Sequence, residues 1–180
     1  MENLLQAFNA AMPFEEYVLE LGEQKTLHDL HYKRAGVDGL QLPPFKALKI
    51  LVITEPWCGD STAILPVLQK LFAGHDVEFR IALRDENPEL MDRFLTNGGR
   101  AIPVILILDE KGELLLRFGP RPQKVQAIFE QYRRDINEGR IERKEVSRKI
   151  RNFYSRDRGK AILEEFLPQL KKALEKYDTK

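Results

Sequence analysis

Apolar residues run without interruption at Ile50, Leu51, Val52 and Ile53, inside a segment from Leu48 to Thr54. That is the pattern of a strand buried on both faces, so the segment is predicted to lie at the centre of a sheet. From Thr62 to Phe72 the rhythm changes to a helical one, with Ile64, Leu65, Leu68, Leu71 and Phe72 on one face. Val77 to Leu83 reads as a second short strand and Asn87 to Leu95 as a second helix. Together they make a β-α-β-α half with parallel strands. The grammar then shifts to a hairpin. Pro103 to Leu108 is apolar, Asp109-Glu110-Lys111-Gly112 is a turn with glycine where positive φ is wanted, and Glu113 to Phe118 returns as a strand.

Both flanks read as helical. Leu4, Leu5 and Phe8, then Tyr17, Val18 and Leu21, recur at helical spacing, so Glu2 to about Arg34 is expected to hold two or three short helices, with Pro13 at a break or first turn. Ala35-Gly36-Val37-Asp38-Gly39 and Pro43-Pro44 predict an irregular entry into the first strand. Beyond Pro122 helix is expected almost to the end, with pauses near Gly139 and Asn152. Ser155 is the candidate N-cap of a last helix carrying Ile162, Leu163, Phe166, Leu170 and Leu174, and Pro168 is expected to kink or divide that helix. The order is β-α-β-α-β-β-α flanked by helices. It divides into an N-terminal helical extension at 1–45, a core at 46–138 and a C-terminal helical extension at 139–180.

Length and composition narrow the setting. A chain of 180 residues fits one core with extensions. With 43% apolar and 32% charged residues it has no apolar run approaching the roughly 18 residues that a membrane span needs. Met1 to Glu20 carries acidic residues and no Lys or Arg, unlike a secretory signal. One cysteine forms no internal disulfide, so any thiol chemistry involves a second molecule, and a reducing cytoplasm is the expected location. Net charge is +1, yet Arg121 to Lys160 holds thirteen Lys or Arg against six Asp or Glu. Interleaving as in Glu142-Arg143-Lys144-Glu145 reads as the solvated face of long helices, and no nucleic-acid or membrane partner is expected.

Chemistry concentrates at Cys58. A buried parallel strand that feeds a loop and then a helix places the helix N-terminus at the carboxyl edge of the sheet, where ligands commonly bind. Free N–H groups and the helix dipole favour a thiolate there, and cysteines so placed have pKa values lowered from about 8.5 to roughly 3.5–7.5. Asp60 and Glu55 oppose this by like-charge repulsion. Ser61 has two open roles, donating to the Cys58 sulfur or capping the helix. His28 and His31, three apart on a helix, lack a second ligand pair and read as a solvated polar face. His75 reads as a surface residue, and no metal or cofactor is expected. Arg84 and Asp85 end a strand at the same edge, with an ion pair as the default reading.

The segment Trp57-Cys58-Gly59-Asp60-Ser61 resembles the thioredoxin W-C-G-P-C site. Pro66 matches the proline of the family's active-site helix, and Asp85-Glu86-Asn87-Pro88 resembles its D-x-N-P. Ala101-Ile102-Pro103 resembles its G-I-P, Lys111-Gly112-Glu113 its N-G-E turn, and Gly119 the glycine ending its last strand. The likeness runs from about Lys46 to Tyr132. It implies an α/β thioredoxin fold with a central mixed sheet, a cis-proline at Pro103, and a peptide groove lined by Trp57, Gly59, Asp60, Ile102 and Pro103. Two departures matter. Ser61 replaces the second cysteine, and Val52 stands where the family has a buried aspartate as proton acceptor.

These features lead to a monothiol exchange protein. Cys58 is the nucleophile, Ser61 and the helix N-terminus stabilise its thiolate, Ile102-Pro103 form the substrate platform, and an external thiol resolves the mixed disulfide. The substrate is a protein or low-molecular-weight thiol or disulfide. The alternative is a non-catalytic module that holds a protein partner. Cys58-Gly59-Asp60-Ser61 also resembles the C-G-F-S of monothiol glutaredoxins, but aspartate adds charge beside an anionic iron–sulfur cluster and the T-V-P of that family is missing. Whether two copies pair through their only cysteines stays open.

Overall fold

The central strand is the Leu48–Thr54 segment, and its alternating side chains enter two separate cores. The computed structural model describes residues 3–178, so the expected helical start at Glu2 lies outside the described residues. In chain order the elements are α1 (Leu5–Ala10), β1 (Met12–Pro13), α2 (Phe14–Leu19), α3 (Gln24–Arg34), β2 (Leu48–Thr54), α4 (Gly59–Leu71), β3 (Val77–Leu83) and α5 (Pro88–Asp92). They continue as β4 (Val104–Leu108), β5 (Leu114–Phe118), α6 (Gln123–Asn137), α7 (Arg143–Asp157) and α8 (Lys160–Asp178). The sheet order is β1-β3-β2-β4-β5, with β2 and β3 parallel and every other pair antiparallel.

Period-two alternation explains the uninterrupted apolar strands. Ile50 and Val52 of β2, with Ile105 and Ile107 of β4, enter the larger core beneath α4 and α8. Leu51 and Ile53, with Val104, Leu106 and Leu108, enter a smaller core that also holds Leu4, Phe8, Met91, Phe94 and Cys58. The sheet is therefore covered on both faces, which is why β2 and β4 are almost wholly apolar, while β3, beside the edge strand, retains Glu78 and Arg80.

Several expectations change at the flanks. A two-residue edge strand, β1, pairs Met12 and Pro13 with Ile81 and Arg80, and Pro13 also precedes α2. α5 is shorter than the expected Asn87–Leu95, ending at Asp92 with Arg93 as its C-cap, and the chain turns farther on at Asn97 and Gly98, both with positive φ. Ser155 and Asn152 lie inside α7, so neither marks a helix boundary. The break falls instead at Arg158 and Gly159, with φ of 56° and 79°. Gly159 is suited to it because a Cβ there would stand 2.8 Å from Val67 Cγ1. The first turn of α8 is then closed by Asp157, whose Oδ2 accepts from the Ala161 N–H at 2.7 Å.

Pro168 does not divide α8, which runs through it. An interior proline costs about 3 kcal/mol, while each fully buried large apolar side chain returns about 1.5–3 kcal/mol. Leu163, Phe166, Leu170 and Leu174 flank the proline on the buried face and outweigh it. His28 and His31 are buried, not on a solvated face. α3 packs on α4, and burial lowers the His28 imidazole to about 4, so the ring is neutral. In the basic segment, Arg133, Arg134 and Arg140 pair with Glu130, Glu138 and Asp135, and Lys149 lies 5.4 Å over the Tyr132 ring.

Candidate functional site

β2 ends at Thr54, and the next four residues turn the chain into α4. Cys58 is the N-cap of that helix, with extended backbone (φ −73°, ψ 112°) and no side-chain cap. Its N–H donates to the Glu55 carbonyl at 3.1 Å, and its own carbonyl accepts from both the Thr62 N–H and the Thr62 hydroxyl at 3.1 Å. Three bonds to the flanking chain thus fix the cysteine at the positive end of the helix. The Ile102–Pro103 peptide bond is cis, and the Cys58 Sγ lies 3.7 Å from the Ile102 carbonyl oxygen, within reach of a weak S–H···O bond. Gly119 backs this platform, since a Cβ at its φ of 104° would collide with the Pro103 carbonyl oxygen.

The thiol environment corrects the expected lowered pKa. Cys58 is 6% exposed and packs into the smaller core. Burial pushes its thiol above the ordinary value. Hydrogen bonds from Ser61 and the Asp60 backbone pull the other way, and the Asp60 charge adds to the rise. Desolvation is the largest of these effects because the surrounding apolar residues withhold the water that would solvate a thiolate. The resting sulfur is a thiol.

Ser61 sits one turn into α4, fully buried, with its hydroxyl sharing a 2.5 Å hydrogen bond with the Thr54 hydroxyl as well as bonding Cys58. Of its two open roles, the bond to sulfur is present and the helix cap is not. Trp57 is 60% exposed, with the Arg84 guanidinium 5.1 Å above its ring. Arg84 also pairs with Asp85 at 2.9 Å and donates to the Arg100 carbonyl at 3.2 Å, which fixes the stacked geometry. Glu55 is buried and accepts from the Asp85 N–H at 2.9 Å. Val52 is fully buried in the larger core.

Sequence reasoning missed three neighbours. Asp60 accepts at Oδ2 from Arg121 Nε at 3.0 Å and at Oδ1 from the Tyr154 hydroxyl at 2.7 Å. Tyr17 on α2 is fully buried, and it interacts electrostatically with Cys58. Arg121 follows the Gly119-Pro120 pair that ends β5, a local signal that it lies at the site edge. Tyr154 is 94 positions from Asp60 and has no such signal. Among the described residues, no group of three or more His, Cys, Asp or Glu could hold a metal.

A family model described as Thioredoxin matches residues 44–133. A crystal structure of a protein of unknown function from Pseudomonas aeruginosa is 22% identical, covering 89% of this chain and 95% of that one, with a TM-score of 0.61. A crystallised HIV epitope scaffold is 24% identical, covering 69% of this chain and 81% of that one, with a TM-score of 0.58. These likenesses carry the fold. No curated protein matches the chain. Among the described residues no helix is long and apolar enough to cross a membrane.

Proposed function

The chain belongs to the thioredoxin family, and on that premise we propose that it is a monothiol thiol–disulfide exchange protein with Cys58 as its nucleophile. One observation carries the reading. The only sulfhydryl stands at the N-terminus of α4, 3.7 Å from the carbonyl of Ile102, beside an exposed Trp57. Ile102 and Pro103 form a platform for an extended peptide. A strand docking there competes for the Ile102 carbonyl, and a thiol that loses its acceptor ionises more readily.

The ionised sulfur attacks one sulfur of the substrate disulfide. A bond forms between Cys58 and that sulfur, the substrate S–S bond breaks, and the departing thiolate takes up the proton that Cys58 released. No second cysteine stands in the chain, so an external thiol completes the cycle. It attacks the substrate sulfur of the mixed disulfide, forms a new disulfide with it, and returns its proton to Cys58. The substrate class is a protein or low-molecular-weight disulfide, and the redox setting implied is a reducing one such as the cytoplasm.

A raised thiol pKa makes this chemistry slow at neutral pH. An unperturbed thiol near pKa 8.5 is about 3% ionised at pH 7, and Cys58 is below that. Protons compete with reaction until the pH exceeds the thiol pKa, so the rate climbs with pH and levels off only beyond it. Reaction with a small aromatic disulfide should therefore accelerate about tenfold per pH unit between pH 6.5 and 8.5, and Cys58→Ser should abolish it. A plateau below pH 7.5 contradicts the raised thiol pKa, and no reaction at any pH contradicts the proposal. A second reading, a non-catalytic module that holds a protein partner in the same groove, is favoured by the apolar burial of the sulfur. It is distinguished by partner capture that survives Cys58→Ser.

A further inference from the structure

Both oxygens of the Asp60 carboxylate, two residues after Cys58, are held by elements distant in the chain. Arg121, in the link from β5 to α6, takes Oδ2 at 3.0 Å, and its guanidinium lies 5.1 Å over the Phe129 ring of α6. Tyr154, from α7 and almost fully buried, takes Oδ1 at 2.7 Å. The Asp60 side chain is 13% exposed, so these bonds are only weakly screened by water. A buried phenol and a stacked guanidinium that converge on one carboxylate make a built clamp, not a surface ion pair of small worth. It joins the start of α4 to the C-terminal helices.

We propose that Arg121 and Tyr154 are positioning residues of the Cys58 site. By holding and offsetting the Asp60 charge, they keep that carboxylate from suppressing ionisation of the neighbouring thiol. The proposal rests on the reading of Cys58 as a nucleophile. Its physical basis is independent of disulfide turnover. A carboxylate in the first turn of α4 is favoured by the helix N-terminus, yet it repels a thiolate at the N-cap. Paired with a guanidinium and bonded to a phenol, it presents little net charge to the sulfur. Asp60 on α4, Tyr17 on α2 and Tyr154 on α7 interact electrostatically with Cys58, and the buried Glu55, just before the helix, accepts from the Asp85 N–H. Burial raises the pKa of both phenols, which therefore stay neutral, so of the three groups that act on the sulfur Asp60 carries the charge. The C-terminal extension is in this view part of the thiol site.

The test is the rate at which a neutral alkylating reagent labels Cys58 in the full chain, followed between pH 7 and 10. Arg121→Gln should slow labelling at pH 8 about three- to tenfold and move the midpoint alkaline, while Arg121→Lys restores most of the rate. Tyr154→Phe should slow it about twofold. Asp60→Asn should speed it about three- to tenfold, and adding Arg121→Gln to Asp60→Asn should then change the rate by less than about twofold. Equal slowing by Arg121→Gln in both backgrounds overturns the proposal, because Arg121 would then act on the sulfur directly. So does a rate unaltered by Arg121→Gln and Tyr154→Phe. Thermal melts identify any variant that fails to fold, and in that event Arg121→Lys and Asp60→Asn decide the question. Alkylation reads ionisation alone, so a chain that labels as expected but never exchanges disulfides refutes the exchange function and leaves the clamp standing.

Discussion

Ser61→Cys should turn the chain into a protein that resolves its own mixed disulfide. Ser61 is buried one helical turn after Cys58 and its hydroxyl already bonds that residue, so a sulfur placed there lies within reach of the Cys58 sulfur. When Cys58 has captured a substrate sulfur, the introduced thiol attacks Cys58, an internal disulfide forms, and the substrate leaves as a thiol carrying the released proton. Intramolecular attack proceeds at an effective concentration of mM or more, so the mixed disulfide should accumulate at least about tenfold less than in the parent chain. The product should be two hydrogens lighter by mass. Because Val52 supplies no proton acceptor, the internal step should itself quicken with rising pH. The exchange buries a thiol where Thr54 had a hydroxyl partner, which should cost about 1 kcal/mol of stability. An adduct that persists unchanged in Ser61→Cys, in a folded variant, would show that the missing second cysteine is not what makes the chain monothiol.

Phe166→Ala should destabilise the protein by about 3–5 kcal/mol, the range for removing a fully buried phenylalanine. Phe166 on α8 has no exposed surface. Its ring meets Phe118 of β5 at 5.2 Å and Phe72 at the end of α4 at 6.0 Å, both edge-on. Each edge-to-face pair is worth about 0.5–1.5 kcal/mol beyond the area it buries. For a chain of this length that loss lowers the melting temperature by about 10 °C. Lys171→Ala on the exposed face of the same helix should change stability by less than about 0.5 kcal/mol. Thermal or urea unfolding measures both. A loss below about 1 kcal/mol for Phe166→Ala, or a separate early transition that it alone shifts, would mean that α8 is not part of the core that supports the site.

The parts of the fold that could be read from the sequence are those where burial leaves a local mark. β2 and β3 appear at their expected limits because strands covered on both faces are mostly apolar, with Lys49, Glu78 and Arg80 the only charged residues in them. The hairpin is equally plain, since Gly112 takes the positive φ its turn requires. β1 could not be read, because two residues carry no periodicity and pairing with β3 is a tertiary event. The α7–α8 boundary was misplaced at Ser155 because a capping side chain is a weaker signal than a left-handed pair at Arg158 and Gly159, whose position is set by contact with Val67 on α4.

At the site, the same division holds. The order of strand, loop and helix put Cys58 at a helix N-terminus, and Trp57, Ser61, Ile102 and Pro103 gathered near it. The ionisation state was not legible. It depends on how much water reaches the sulfur, which is decided by Ile102, Leu51, Ile53 and others drawn from separate elements. Nor was the Asp60 clamp, since the chain from Asp60 to Tyr154 is too long for any local pattern to join its ends.

The most direct measurement is the intact mass of the full chain after incubation with a peptide disulfide at pH 8.5, before and after adding a low-molecular-weight thiol. The account predicts one peptide per chain on Cys58, released by the added thiol and missing from Cys58→Ser. A folded chain that stays at its starting mass, while the unfolded chain accepts the peptide readily, would contradict it.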